Sequence, residues 1–99
     1  VNDQLTWNDL PLMEIIEKHG TPLRITYLPK VGEKIDQARS LFAKAFKEHK
    51  YVGTYDYFYC TKSNHFSYII DKVLEKGVSL ETSSAYDIEI IELLMERGS

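Results

Sequence analysis

The chain has 99 residues, 43% apolar and 27% charged, with a net charge of -3. That length holds one small domain with a modest core, and the balance is that of an ordinary globular chain. There is no basic block to bind nucleic acid or an anionic membrane, no apolar run near the roughly 18 residues of a membrane span, and a single cysteine, which excludes an internal disulfide framework.

In chain order, residues 9–19 predict a first helix, capped by Asp9, with Pro11 in its first turn and Gly20 as its stop. Leu23 to Leu28 alternates as a short strand ended by Pro29. Residues 32–49 predict the clearest helix, with Val31, Ile35, Ala38, Leu41, Phe42, Ala45 and Phe46 as its apolar stripe. Tyr55 to Thr61 reads as a second strand. Ser63 or Asn64 then caps a helix that carries Phe66, Ile69, Ile70, Val73 and Leu74 inward, and Gly77 ends it. Val78 to Thr82 is a third strand. Ser84, with Asp87 three residues on, opens a last helix through a capping box, and Ile88, Ile91, Leu94 and Met95 form its stripe. The order α-β-α-β-α-β-α predicts an α/β fold, with parallel strands joined by amphipathic helices.

Lys62 ends the aromatic run Tyr57-Phe58-Tyr59-Cys60-Thr61. A lysine at the C-terminal tip of a strand lies where barrel folds place their chemistry, and a partly desolvated amine loses its proton more easily than an exposed one. Alternation puts Phe58, Cys60 and Lys62 on one face of the strand and Tyr57, Tyr59 and Thr61 on the other. If the tyrosines pack under helices, Cys60 and Lys62 look into a cleft, and small Cys60 leaves room there for a flat ligand. Glu81 and Asp87 lie at or beyond the tip of the next strand, where a carboxylate can serve a lysine's proton handling.

Tyr59-Cys60-Thr61-Lys62-Ser63-Asn64, then a helix, a glycine and Leu80-Glu81-Thr82-Ser83-Ser84-Ala85-Tyr86-Asp87, resembles the pyridoxal-phosphate decarboxylases of the alanine-racemase-like barrel type. The family's strand ending Tyr-x-x-Lys-x-Asn and its acidic-Ser-acidic motif fit at Lys62 and at Glu81, Ser84 and Asp87. Gly20-Thr21-Pro22-Leu23 resembles the family's entry into its first strand. Thr26-Tyr27-Leu28-Pro29-Lys30 and His65-Phe66-Ser67-Tyr68 bring the likeness closest to bacterial biosynthetic arginine decarboxylase. The match spans residues 20–98, although Glu81 and Asp87 exchange the Asp and Glu of many relatives.

The resemblance implies the first β-α units of a (β/α)8 barrel, with an N-terminal helix over 1–20 and a partial cofactor-binding domain over 21–99. It implies pyridoxal 5'-phosphate held covalently by Lys62, with Cys60, Glu81 and Asp87 beside it, and it leaves Mg2+ open as a further cofactor of the parent enzyme. The reaction it implies converts L-arginine to agmatine and CO2, the opening of polyamine biosynthesis, in a cytoplasmic homo-oligomer. The family's phosphate-binding glycine loop, ring-stacking histidine and distal cysteine all come later. A complete barrel needs about 250 residues, so an N-terminal fragment, inactive alone, is expected.

Plainer roles stand beside these. A lysine after a strand is commonly a solvated turn residue. Asp87 serves a helix N-terminus, Ser84 is a cap, and Cys60 is a small filler with no histidine near it in sequence. Three histidines and one cysteine show no metal-ligand spacing. The tyrosine series suits strand packing better than base stacking. Two other functional classes remain: a pyridoxal-phosphate carrier or regulator of the single-barrel type, and a non-enzymatic α/β interaction module.

Overall fold

The computed structural model describes residues 3–98. Its centre is a parallel pair of strands, β3 (Phe58–Cys60) and β4 (Ser79–Glu81), joined through helix α3 (Ser67–Glu75). Ahead of them come a small antiparallel hairpin, β1 (Thr6–Trp7) and β2 (Leu10–Pro11), then helices α1 (Leu12–His19) and α2 (Pro29–Glu48); helix α4 (Ala85–Glu96) follows β4. The expected α/β class with parallel strands is present. Among the described residues the strands form two two-stranded sheets rather than a closed barrel.

The core lies on one face of the β3–β4 pair. Ile35 of α2 meets Ile69 and Val73 of α3 and Val78, with Leu28, Val31, Tyr57, Tyr59 and Leu80 packed around them. Tyrosines 57 and 59 therefore face the helices, as alternation requires, while Phe58 on the opposite face is 58% exposed. Polar contacts fix α2 to the end of α3: Arg39 Nη1 donates to the Lys76 carbonyl at 2.6 Å, and Lys76 Nζ pairs with Asp36 at 2.7 Å. The farther half of α2 is largely exposed, Leu41 at 59% and Phe42 at 47%, and the returning chain touches it through Phe42 stacked on Tyr55 at 4.4 Å and Phe46 against Tyr51 at 4.5 Å.

α3 ends in a double hydrogen-bonded turn. Gly77, at φ 67°, donates to the Leu74 carbonyl, and Val78 donates to that of Val73. This arrangement needs a left-handed residue at Gly77, and it brings Val78 back onto Val73 in the core. The chain thus leaves the helix already aimed into β4.

The structure departs from the predicted elements in four places. Leu23–Leu28 forms no strand: no described strand pairs with it, and a strand's main-chain groups need a neighbour. Its residues still pack, Leu28 against the core and Tyr27 edge-on to Trp7 at 6.0 Å, a contact that ties the first 20 residues to the rest. Pro29 opens α2 rather than merely ending a strand, since a missing amide hydrogen costs nothing at a first helical position. Asp9 does not cap α1. Asn8 and Asp9 both take positive φ, 51° and 64°, and turn the β1–β2 hairpin, so the helix starts after Pro11. Ser63 and Asn64 do not cap α3 either: its N-cap is Phe66, and Asn64 instead accepts the Phe66 amide at 3.0 Å in the turn before it.

The last helix matches its predicted cap but not its predicted burial. Of the expected stripe only Leu94 is buried, while Ile88 and Met95 are exposed, as are Leu93 and Tyr86. Apolar residues surround this helix rather than lining one face. Ile70 is fully buried, so Ile70→Ala should cost about 2–5 kcal/mol in urea unfolding. Ile88→Ala, on the uncovered side, should change stability by no more than about 0.5 kcal/mol.

Candidate functional site

The site begins at the junction of the two strands. In their register Cys60 lies opposite Glu81 and Tyr59 opposite Leu80. Paired residues leave a parallel sheet on the same side, so Cys60 and Glu81 share the open face and Tyr59 and Leu80 the core face. Thr61 is 0% exposed. Its amide donates to the Glu81 carbonyl at 3.0 Å, and its hydroxyl donates to the same oxygen at 3.2 Å. One buried threonine thereby closes the ladder at the C-terminal end of both strands.

Lys62 follows at the corner of a turn, with the Ser63 amide donating back to the Cys60 carbonyl at 3.2 Å. The far side of that turn is held by Tyr59, whose hydroxyl donates to the Asn64 carbonyl at 2.7 Å. Burial pushes the Tyr59 phenol up from its ordinary value, and the neighbouring Cys60 and Tyr57 add to the shift. Lys62 itself is exposed, so the shielding from water expected for it is not supplied by the described residues. It lines a cleft of about 190 Å³ with Arg24, Ser63, Asn64, His65 and Phe66.

The two acidic candidates have separate settings. The Glu81 side chain is exposed on the Cys60 side and makes no ion pair with Lys62; its main-chain oxygen accepts from Thr61. Asp87 is buried, 4% exposed. Its amide is capped by Ser84 Oγ at 3.2 Å, and its carboxylate accepts the Ser83 amide at 3.4 Å, one residue earlier than an ordinary capping box reaches. Asp87 Oδ1 also lies 3.8 Å from His65 Nδ1, which links the first turn of α4 to the turn before α3. Lys62, Cys60 and Glu81 thus gather at one strand end, while Asp87 faces His65 and pairs with no lysine.

Arg24, Thr61 and the Tyr59 hydroxyl escaped the sequence reading. Arg24 sat inside a predicted strand, where its reach toward Lys62 has no local signal. The other two do have one: a phenol and a short hydroxyl on the core face, at a strand tip, need partners. A wider cleft of about 450 Å³ opens between α3 and α4, lined by Leu93, Leu94 and Ile90 beside His65, and Lys62 is not on its wall. Among the described residues no three His, Cys, Asp or Glu side chains gather to hold a metal. No described helix is long and apolar enough to cross a membrane.

No family model, curated protein or solved structure matches the chain.

The neutral form of Tyr59 is the one the fold favours. Its contribution to stability is complete below the ordinary tyrosine range and is lost as pH climbs through its own raised value. Ultraviolet titration should show a late-ionising phenol that disappears in Tyr59→Phe. The same variant, having lost the bond to Asn64, should show faster amide exchange across Lys62–Asn64.

Proposed function

We propose that the chain is part of a pyridoxal-phosphate-dependent decarboxylase of the alanine-racemase-like barrel type, with Lys62 as the covalent anchor and arginine as the substrate. The observation that carries this reading is the parallel register of β3 and β4, with Cys60 beside Glu81 and Lys62 two residues beyond the end of β3. Arginine rests on the resemblance of Tyr59–Ser63 and Leu80–Asp87 to the biosynthetic arginine decarboxylases.

The residues present fit such a group. The Lys62 side chain opens into a cleft, and among the described residues no carboxylate pairs with it, so its end is sterically accessible to an aldehyde. When bound, pyridoxal phosphate supplies the electron sink that decarboxylation needs. Glu81, on the same sheet face as Cys60, offers a carboxylate that can accept a proton at the strand end. Asp87 stabilises the turn that presents Glu81, through the Ser83 amide. Cys60 keeps the wall of that face low.

The uncovered sides of the sheet and of α4 support a barrel continued by further β-α units, because parallel strands are ordinarily covered on both faces. The same apolar surface favours one second reading, an α/β interaction module that binds through α4.

With pyridoxal phosphate at equimolar ratio, borohydride reduction and peptide mass spectrometry should place the pyridoxyl group chiefly on Lys62, and Lys62→Ala should abolish that label. Labelling spread evenly over the lysines would sink the proposal and leave the interaction module. The isolated chain should release no CO2 from arginine.

Among the described residues β3 and β4 each keep an unpaired edge, an invitation to pair with another chain. We infer a homo-oligomer. Light scattering should return at least twice the chain mass, and a monomer at moderate concentration would contradict the inference.

A further inference from the structure

We infer that the cleft beside Lys62 is a binding site for a small oxyanion, a phosphate or a carboxylate, with Arg24 as its principal contact. Arg24 and Lys62 come from segments far apart in sequence, yet both line this cleft of about 190 Å³. Its other walls are Ser63, Asn64, His65 and Phe66, and no carboxylate is among them. Elsewhere half of the other lysines and arginines meet a carboxylate, as Lys30 does Glu33, Lys72 Glu75, Lys76 Asp36 and Arg97 Asp71. Neither Arg24 nor Lys62 has an ion pair or a hydrogen bond within the described chain.

Bringing two unpaired cations to one concavity costs repulsion in a chain whose net charge is -3. An oxyanion between them removes that cost, and the guanidinium fork matches two oxygens of either a phosphate or a carboxylate. Ser63 and Asn64 add neutral polar groups at the rim. α3 opens on the same wall with no acidic residue in its first turn, so nothing there repels an anion. Asp87 Oδ1 lies 3.8 Å from His65 Nδ1 and is not on the cleft wall, where Arg24 and Lys62 are the arginine and lysine cations.

The site does not depend on covalent chemistry at Lys62. The test is a titration of the isotope-labelled 99-residue chain with inorganic phosphate and, separately, acetate, with chloride at matched ionic strength as the control. Phosphate or acetate should saturably shift the Arg24 side-chain signal and the amides of Ser63 to His65. The stronger of the two identifies the anion class. Arg24→Ala should weaken binding at least about tenfold, the loss of one bidentate charge-assisted contact. Lys18→Ala, which removes the same charge away from the cleft, should leave binding unchanged. Equal shifts with chloride, shifts that never saturate, or full binding by Arg24→Ala would overturn the site. Lys62→Ala should retain weakened phosphate binding while losing pyridoxal phosphate attachment. Failure of attachment with phosphate binding intact therefore removes the decarboxylase reading alone.

Discussion

Everything at the strand tips hangs on one main-chain oxygen. The Glu81 carbonyl receives both the amide and the hydroxyl of Thr61, a residue closed to water. The buried Thr61 amide and hydroxyl are costly to leave unpaired, so this double contact holds the register of the parallel pair. A slip of one residue would send Tyr59 outward and Phe58 into the helices. It would also turn Lys62 from the open side to the core side. The position of the lysine is therefore a property of the ladder rather than of its own polar contacts, since among the described residues it has no hydrogen bond or ion pair.

The helices are arranged to protect that ladder. The turn at Gly77 folds Val78 onto Val73, so the end of α3 and the start of β4 share one piece of core. Arg39 and Asp36 of α2 close over the same corner, one binding the Lys76 carbonyl and the other its amine. On the far side, Tyr59 spans core and surface: its ring lies in the hydrophobic layer and its hydroxyl holds the loop that follows Lys62. Packing and site geometry meet in that side chain.

Much of this was legible in the residues, and the exceptions have physical causes. Period-two alternation placed the tyrosines inward and Cys60 and Lys62 outward, because a strand has only two faces. The Ser84 cap and the Gly77 stop were legible because they are local, decided within a few bonds. Leu23–Leu28 failed because strand formation depends on a distant partner that its own alternation cannot reveal. The Asn8–Asp9 turn was missed because an Asp before an apolar run serves a cap and a tight hairpin equally well. Arg24 at the cleft was beyond reach, since its approach to Lys62 follows from tertiary placement alone. The stripe on α4 misled in another way: apolar spacing marks a surface that can be buried, without naming what buries it.

The chain is spread wide for its mass. Its radius of gyration is 17.7 Å, against about 13 Å for a compact domain of this length. Its accessible surface is 7879 Å² for 11.5 kDa, where a compact monomer would show roughly 5,800 Å². The bare side of the β3–β4 pair contributes to that excess, and it leaves a thermodynamic signature. Heat capacity and denaturant slope both grow with the apolar surface newly wetted on unfolding. A sheet whose Phe58 side already stands in water has that much less to expose. The isolated chain should melt broadly, with a shallow urea slope and a flattened stability curve, and any partner that covers the face of Phe58 and Cys60 would restore the missing heat capacity.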